Sequence, residues 1–502
     1  MPLTITPSDA ATEENPFGEV LDRAWIHDIE SSTDFWNRKP QLQAIWHAAM
    51  AERISPWGVL GVCMAHRLSH IPPTVVLVKN NGLEGVGLRG GTSLNILVGV
   101  TAKAGGGKST TFRLATELIP PNGFPLPDGT GQGIVRAFAE RKKITKDEEG
   151  KPLKEPYVAT IFHRHSLTIH APEVTTLNAE FAREGSKTGG MLRSMWVGET
   201  VGMTNADNDR AGALAPNMTR LCGVWGVQPH NADAIMAQAA DGTPQRFLWV
   251  PANETRRAHP ELLATVATPP PLTTFPFPVF GNTPPGIAMG TSLPKELADN
   301  DPLPDPVWVH HSPQMTVDVK AFNDRRSEFE ALFEEYEEIP EEHRAEAQRL
   351  NMEAHLVLMR VKLAAQLGFL WGHFEPDDED WELAGVLLEL SMGNAAGVWK
   401  MCQKGAEDAA AARGAIRGIE LDAAFAERER IKDKRTARIA NAAYKKLAQL
   451  GPMTEGGVSR QLASRDRAST REALRYLEDE GKAEYAGTLW HALYKGNKLG
   501  RD

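Results

Sequence analysis

Between residues 33 and 70, apolar side chains recur at spacings of three and four, which is the period of a helix with one buried face. The residues that carry this period are Phe35, Trp36, Leu42, Ile45, Trp46 and Ala49. Asp34 precedes them as a candidate helix cap, and Pro72 and Pro73 end the pattern. The sequence therefore predicts a helical region over 34–73, preceded by a flexible arm over 1–33.

Farther along, short apolar segments alternate with segments of helical period. Strands are predicted at 74–78, 94–100, 157–162, 166–170, 221–227 and 246–250, and helices at 109–118 and 132–141. The charged segment 142–156 is predicted to be an exposed loop. Strands that alternate with helices predict an α/β fold with a mostly parallel sheet, here over 74–267.

The rest of the chain divides by composition. Residues 268–306 are rich in proline, which favours an extended segment over helix or central strand. Residues 307–427 are predicted to be helical, with an acidic face typical of a solvated helix surface. That face carries Glu334, Glu335, Glu337, Glu338, Glu341 and Glu342. Residues 428–502 have the order of three helices and two short strands that predicts a winged helix.

Composition narrows the class of protein. No apolar run reaches the ~18 residues that span a bilayer, so we expect no membrane association. The N-terminal residues lack the basic start and apolar middle of a signal peptide. Cys63, Cys222 and Cys402 lie far apart, which argues against a disulfide scaffold or a zinc finger. These features together predict a cytoplasmic protein.

Charge is distributed unevenly. Residues 428–502 hold 17 Lys and Arg against 10 Asp and Glu, within a chain whose net charge is −10. A basic end on an acidic body is common in nucleic-acid-binding proteins. The basic residues on or before the predicted third helix of the winged helix, where DNA contacts are expected, are Arg465, Arg467, Arg471 and Arg475. A winged helix that only packs against protein is the alternative.

The strongest motif follows the strand predicted at 94–100. It is Ala102-Lys103-Ala104-Gly105-Gly106-Gly107-Lys108-Ser109, followed by Thr110 and a helix. It matches the phosphate-binding loop GxxxxGK[ST] except for alanine at the first position. Backbone N–H groups and the helix N-terminus would bind phosphates, Lys108 would reach the β- and γ-phosphates, and Ser109 would bind Mg²⁺. We therefore predict ATP and Mg²⁺ as ligands.

The early lysine of this loop leaves an alternative open. The segment KAGGGKSTT also resembles the loop of partition ATPases, in which such a lysine contacts a neighbouring subunit's nucleotide. Ala104 replaces a glycine of that pattern, and the loop follows ~100 residues instead of opening the chain. Lys103 as an incidental loop residue is the simpler interpretation.

Hydrolysis of a nucleotide also needs a carboxylate at a strand end, to hold the metal and position water. The best candidate is Glu173, directly after the strand predicted at 166–170. Ala171 and Pro172 precede it, so the aspartate common at this place is absent. Asp207 and Asp209 are weaker alternatives, and Glu173 as a surface helix cap is the plainest one.

Two further polar residues flank later strands. Gln228 ends the segment LCGVWGVQ, where a sensor of the γ-phosphate would lie in a RecA-like sheet. Arg246 opens the strand RFLWV, from which an arginine could reach a phosphate across a subunit boundary. Structural hydrogen bonding is the alternative for both. The paired histidines at 163 and 165 and at 310 and 311 lack further ligands at metal spacing, so we predict no metal centre there.

Three segments carry a resemblance to a known family. FWNRKPQLQAIWHAAMAERISPWGVLG, SLNILVGVTAKAGGGKST, and GVQP with GTPQRFLWVP resemble ATPases of actinobacterial phages, plasmids and prophages. These proteins are described as primase/helicase-like, with a RecA-type core. The helical stretch that begins RVKLAAQLGFLWGHF and the winged-helix ending resemble their C-terminal regions. The resemblance covers most of residues 34–490.

The resemblance implies a replication ATPase that couples ATP hydrolysis to DNA movement, as a homo-oligomer in a hexameric ring, with other replication proteins as partners. Its location would then be the host cytoplasm. Lys108 and Ser109 match the family's motif, whereas its acidic motif is usually an Asp-Glu pair. Two alternatives remain: an ATP-switched DNA-binding initiator, loader or adaptor with little turnover, and a partition-type ATPase.

Overall fold

The computed structural model describes residues 17, 23–79, 81–147, 149–203, 212–253, 293–334 and 339–493. The chain divides into two compact units, Met1–Gly405 and Ala406–Asp502. The first unit is a mixed α/β structure with a parallel sheet and many helices, as the sequence predicts. Within the described ranges, no helix is both long and apolar enough to cross a membrane.

In chain order the strands of the described residues are β1 (Val75–Leu77), β2 (Thr92–Ser93), β3 (Ile96–Thr101), β4 (Ala139–Lys146), β5 (Pro152–Phe162), β6 (Ser166–Ala171), β7 (Val201–Met203), β8 (Gly212–Leu214), β9 (Arg220–Val227), β10 (Phe247–Pro251), β11 (Glu296–Ala298), β12 (Val307–Val309), β13 (Ala483–Ala486) and β14 (Leu489–Ala492). The longest strands of the described residues are β5 in an antiparallel hairpin and β9 in the central sheet, together with the eight-residue β4.

Helices make up most of the remainder. In chain order they are α1 (Arg23–Thr33), α2 (Pro40–Ala51), α3 (Pro56–Leu68), α4 (Lys108–Leu118), α5 (Gly131–Phe138), α6 (Thr175–Ala182), α7 (Thr188–Val197), α8 (Asp233–Met236), α9 (Pro313–Ala331), α10 (Glu341–Trp371), α11 (Asp378–Leu450), α12 (Glu455–Gln461) and α13 (Thr470–Asp479).

The central sheet has the strand order β10-β3-β9-β6, and all three of its pairings are parallel. β3, β9 and β10 are buried along their whole length, which explains their continuous apolar sequences. The helix α3 packs against both β3 and α4, and every one of its residues is buried. Because the strands are parallel, the segments that follow β3, β6 and β9 emerge at one shared edge of the sheet.

The sequence predicted a loop over 142–156, but the structure has two strands there. β4 and β5 pair there as an antiparallel hairpin that exposes most of its lysines. Asp147 makes the turn, because its Oδ1 accepts hydrogen bonds from the N–H groups of Glu149 (3.0 Å) and Lys151 (2.8 Å). Gly150 supplies the left-handed backbone with φ 83°. The predicted exposure of this segment is confirmed, and the prediction that it forms a loop is wrong.

The flexible arm predicted over 1–33 is wrong for its last third. Residues 23–33 form α1, and its Glu30 Oε1 accepts hydrogen bonds from the indole N–H groups of Trp36 (3.0 Å) and Trp57 (2.8 Å). Two buried donors explain why an acidic residue lies inside the molecule. Most of the proline-rich segment 268–306 lies outside the described residues.

The unit Ala406–Asp502 has its own small core. The end of α11 packs with α12, α13 and the antiparallel hairpin β13–β14 around buried residues from each. The core residues are Ile439, Ala440, Ala443, Leu447, Val458, Leu462, Ala473, Leu474, Leu477, Ala483 and Trp490. Three helical segments and a hairpin thus occur in the predicted order.

Candidate functional site at the carboxyl edge of the sheet

The glycine-rich segment forms a tight loop between β3 and α4. Gly105 and Gly107 have φ angles of 70° and 96°, a region that side chains with a Cβ rarely adopt. A Cβ on Gly106 would lie 2.6 Å from the Cβ of Ala102, so this position also requires glycine. The N–H of Ala102 donates to the carbonyl of Val227 (3.0 Å), which fixes the root of the loop to β9. The loop is therefore held at its base and open at its tip.

Lys108 is the first residue of α4 and lies beneath this loop. Its side chain is only 7% exposed, and its Nζ lies 3.3 Å from the carbonyl oxygen of Ala102 and 3.3 Å from Oε1 of Glu173. Ser109 and Lys103 are exposed, and Thr110 is partly exposed. A buried ammonium group thus sits at a helix N-terminus, where anions are favoured.

Glu173 follows β6, at the same edge of the sheet as the loop. Its Oε1 contacts Lys108, but its Oε2 is shielded from solvent and has no hydrogen-bond partner among the described residues. The side chain as a whole is 42% exposed, so this oxygen is shielded locally and not by deep burial. An unpartnered carboxylate oxygen is costly unless a ligand or water satisfies it. This geometry fits a metal or water ligand and not a helix cap.

Gly226 permits the approach of Lys108 to Glu173, and the sequence did not point to it. It lies on β9, the strand between β3 and β6. A Cβ at this position would lie 2.1 Å from the carbonyl oxygen of Pro172 and 3.2 Å from Cδ of Lys108. Only glycine allows the backbone before Glu173 and the lysine stem to pass this close.

Gln228 lies directly after β9, beside the end of β3. Thr101 pairs with Val227 in the sheet, so Gln228 is at the level of the first loop residue. It is partly exposed, and its carbonyl accepts a hydrogen bond from the N–H of Asn231 (2.8 Å). The structure thus brings Gln228 to the same edge as the loop and Glu173.

Arg246 lies at the opposite edge of the sheet. It precedes β10, whose first residue Phe247 pairs with Leu97 near the start of β3. Its guanidinium lies 5.5 Å from the ring centre of Trp196, and its Nη1 donates to the carbonyl of Gly242. Burial lowers the pKa of Arg246 to about 10. Within one chain it is therefore remote from the loop, and a role across a subunit boundary stays a prediction. Asp207 and Asp209 lie outside the described residues.

A pair of neutral histidines lies behind the loop helix. His66 Nδ1 is 2.7 Å from the carbonyl oxygen of Ile119, which can only accept, so Nδ1 carries the proton. His66 Nε2 then accepts from His170 Nε2 at 2.7 Å, and the ring of Phe112 stacks on His170. Burial lowers the pKa of His66 to about 3 and that of His170 to about 4. These residues join α3, α4 and β6.

A cluster of three side chains and a cavity lie elsewhere in the first unit. His373, Asp377 and Asp380 lie close together, but Asp380 accepts hydrogen bonds from the indole N–H of Trp371 (2.8 Å) and the N–H of Asp377 (3.0 Å). These bonds occupy both carboxylate oxygens of Asp380. The three residues therefore lie together because they order the chain at the start of α11. A cavity of about 1020 Å³ lies beside α5 and α7, away from the glycine-rich loop, and Arg193 in its lining donates a hydrogen bond to Thr243.

In the second unit, the four predicted arginines are all exposed. Arg465 and Arg467 lie in the 3₁₀ turn before α13, and Arg471 and Arg475 lie on α13. Arg471 forms an ion pair with Glu455 (3.1 Å), whose net contribution to stability is small at such exposure. All four side chains are thus accessible to a partner.

Comparisons with known proteins add no family to this geometry. Models of known protein families give no match to this chain, and no curated protein matches it significantly. The resemblance to phage and plasmid ATPases therefore stays a prediction from the sequence.

Proposed function

We propose that the chain binds and hydrolyses ATP at the carboxyl edge of the parallel sheet. The observation that carries this proposal is Lys108, held between the loop root and Glu173, whose second oxygen has no hydrogen-bond partner in the part of the chain that the structure describes. A cation at a helix N-terminus beneath a glycine loop suits the β- and γ-phosphates. The free carboxylate oxygen suits a metal ligand or a water that must be oriented.

In this proposal each residue has one role. Backbone N–H groups of Gly105 and Gly107 bind phosphate oxygens, and Lys108 neutralises the charge on the β- and γ-phosphates. The N–H of Gly106 instead donates to the carbonyl of Lys103 (3.0 Å) and shapes the loop. Ser109 and Glu173 would hold Mg²⁺, which supplies charge neutralisation at the transferred phosphoryl group when bound. Gln228 lies where its amide can contact the γ-phosphate end of a bound nucleotide.

The wider assignment is a RecA-like ATPase of the phage and plasmid replication type. It is supported by the strand order β10-β3-β9-β6, in which β9 separates β3, the strand before the loop, from β6, the strand before Glu173. A ring-shaped homo-oligomer would bring Arg246 of one subunit to its neighbour's nucleotide. In that proposal the protein is a DNA helicase acting with other replication proteins.

We further propose that the second unit is a winged helix that binds DNA through Arg465, Arg467, Arg471 and Arg475. Their exposure on and before α13 supports this. Each phosphate contact should contribute about one power of salt to the dissociation constant. Replacing Arg475 with alanine should weaken DNA binding and lower the salt slope by about one unit, as measured by fluorescence anisotropy. An unchanged slope in variants of all four arginines would assign the unit to protein contacts.

A second function is favoured by one observation. Ala171 and Pro172 precede Glu173, so only one carboxylate stands at the end of β6. A site with a single carboxylate suits an assembly switch that binds ATP tightly and turns it over slowly, as a DNA-binding initiator or loader would.

Turnover separates these functions. We expect ATP hydrolysis by the full chain to rise on addition of single-stranded DNA, and to be lost in Lys108→Ala. Tight ATP binding with negligible turnover, with or without DNA, would instead support the assembly switch. Hydrolysis that persists unchanged in Lys108→Ala would rule out the assigned site.

A further inference from the structure

The long helix α11 contacts the nucleotide edge of the sheet from outside the motifs. Three of its side chains face the sheet within the first unit. Ser391 Oγ accepts a hydrogen bond from the N–H of Trp249 (2.8 Å), and Asn394 Nδ2 donates to Thr101 Oγ1 (2.8 Å). Cys402 Sγ donates to the carbonyl of Pro229 (3.0 Å), just after Gln228. One helix face therefore contacts the middle of β10, the end of β3 and the segment just after β9.

The contact of Asn394 falls at a critical place. Thr101 is the last residue of β3 and directly precedes the phosphate loop. It is 5% exposed, and its hydroxyl also lies 3.3 Å from the carbonyl oxygen of Val250. Its own carbonyl accepts the N–H of Ala252 (2.9 Å). Backbone hydrogen bonds hold Thr101 within the sheet, and the amide of Asn394, on α11, fixes the side chain of Thr101.

We propose that Asn394 is a positioning residue for the phosphate loop, which it orients through Thr101. This inference rests on the proposed nucleotide site. A loop that must present its N–H groups to phosphate oxygens loses affinity when its root can shift, because the bound geometry is no longer preorganised. Asn394 touches neither nucleotide nor metal in this account. It affects nucleotide binding only by positioning the hydroxyl of Thr101.

The test uses titration of the full chain with a fluorescent ADP analogue. Asn394→Ala should raise the dissociation constant about five- to tenfold, as expected for the loss of one buried hydrogen bond to a positioned group. The matched control is Ser391→Ala, which removes a comparable hydrogen bond one turn earlier on the same helix face. It should change the dissociation constant less than about twofold, with a similar small shift in the thermal unfolding midpoint.

A double-mutant cycle identifies the route of the effect. If Asn394 acts through Thr101, Thr101→Val should raise the dissociation constant similarly, and the double variant should be no weaker than either single variant. In steady-state assays the KM for ATP should rise with kcat changed less than about twofold, because the contact positions the ground state.

The outcomes distinguish failure of the proposed nucleotide site from failure of the positioning role of Asn394. Failure of the wild-type chain to bind nucleotide would refute the proposed function itself. Wild-type binding together with an unchanged dissociation constant in Asn394→Ala would overturn only the positioning role. Equal losses in Asn394→Ala and Ser391→Ala, or additive losses in the double variant, would also overturn it, since the helix would then act only on the fold.

Discussion

Two buried cations at opposite edges of the central sheet, Arg220 and Lys108, are paired in different ways. At the amino edge, Arg220 has no exposed surface and donates to five acceptors, among them the carbonyls of Pro72 (2.8 Å) and Val75 (2.8 Å). At the carboxyl edge, Lys108 is nearly as buried, but one oxygen of its partner Glu173 accepts no hydrogen bond from the described residues. A saturated cation stabilises a fold, whereas an incompletely paired site is available to a ligand.

Lys362 follows the pattern of the amino edge. It is fully buried, its ammonium lies 3.5 Å from the ring centre of Trp196, and it donates to the carbonyl of Trp196. Burial lowers the pKa of Lys362 well below its usual value. Burial of a charged residue alone therefore does not identify a ligand site. Incomplete pairing alone does not either, since Nε of Arg246 at the amino edge has no hydrogen-bond partner among the described residues. The carboxyl edge differs because its incomplete pair lies beside the glycine-rich loop and a helix N-terminus.

The largest expected effect is on stability at the amino edge. Arg220→Met should lower the free energy of unfolding by about 3–5 kcal/mol, because it leaves several buried carbonyls without a donor. Urea unfolding measures this. The control Arg183→Met, whose side chain is 66% exposed, should change stability by less than about 0.5 kcal/mol. Equal values for both variants would remove the contrast between the edges.

At the carboxyl edge the expected effect is on activity. Lys108→Ala should reduce ATP turnover about a hundredfold or more, since it removes the cation at the β- and γ-phosphates. Its unfolding free energy should stay within about 1 kcal/mol of wild type, because Glu173 is partly exposed. Lys103→Ala is the control in the same loop. A comparable loss of turnover in that variant would support the partition-type alternative.

A substitution at Gly226 tests the close approach of Lys108 to Glu173. Gly226→Ala places a Cβ 2.1 Å from the carbonyl oxygen of Pro172, which is backbone and cannot rotate away. We expect a loss of about 1–3 kcal/mol in stability and weaker nucleotide binding, because Lys108 and Glu173 are pushed apart. Gly190→Ala is the control, since its Cβ would meet nothing nearer than 3.9 Å. Wild-type behaviour of Gly226→Ala would contradict the close approach.

The smallest expected effect depends on pH. The folded pKa values of His66 and His170, about 3 and about 4, lie below the value of about 6.5 for unfolded histidine. Between these limits the unfolded chain binds protons that the folded chain does not, so stability falls as the pH drops below about 6.5. The thermal unfolding midpoint should decrease by several degrees from pH 7 to pH 5. His66→Gln should show a shallower decrease, and an identical pH dependence would exclude this pair as a cause.

Local sequence patterns predicted the parts of the site that depend on neighbouring residues. The loop, Lys108, Glu173 and Gln228 follow strands whose apolar runs are visible in the sequence, and parallel strands bring their ends to one edge. The β4–β5 hairpin was missed because its lysines alternate with few apolar residues, so it lacks the usual strand signal.

Contacts between distant segments could not be read from the sequence. The requirement for glycine at 226 arises from Pro172, 54 positions earlier, and the bond from Asn394 to Thr101 joins residues 293 positions apart. Arg246 was placed correctly before a strand, but the direction of that strand puts it at the far edge. Topology and side-chain packing decide these features, and neither has a local pattern.

The central claim is that the carboxyl edge is a nucleotide site. The most direct test is calorimetric titration of the full chain with Mg²⁺ and ATP. The Lys108→Ala variant is titrated in parallel, once its free energy of unfolding has been shown to equal that of the wild-type chain. We expect saturable binding by the wild-type chain and affinity about a hundredfold or more weaker in the variant, because the variant lacks the cation proposed to bind phosphate. Equal affinity in both proteins, or no binding by a folded wild-type chain, would contradict it.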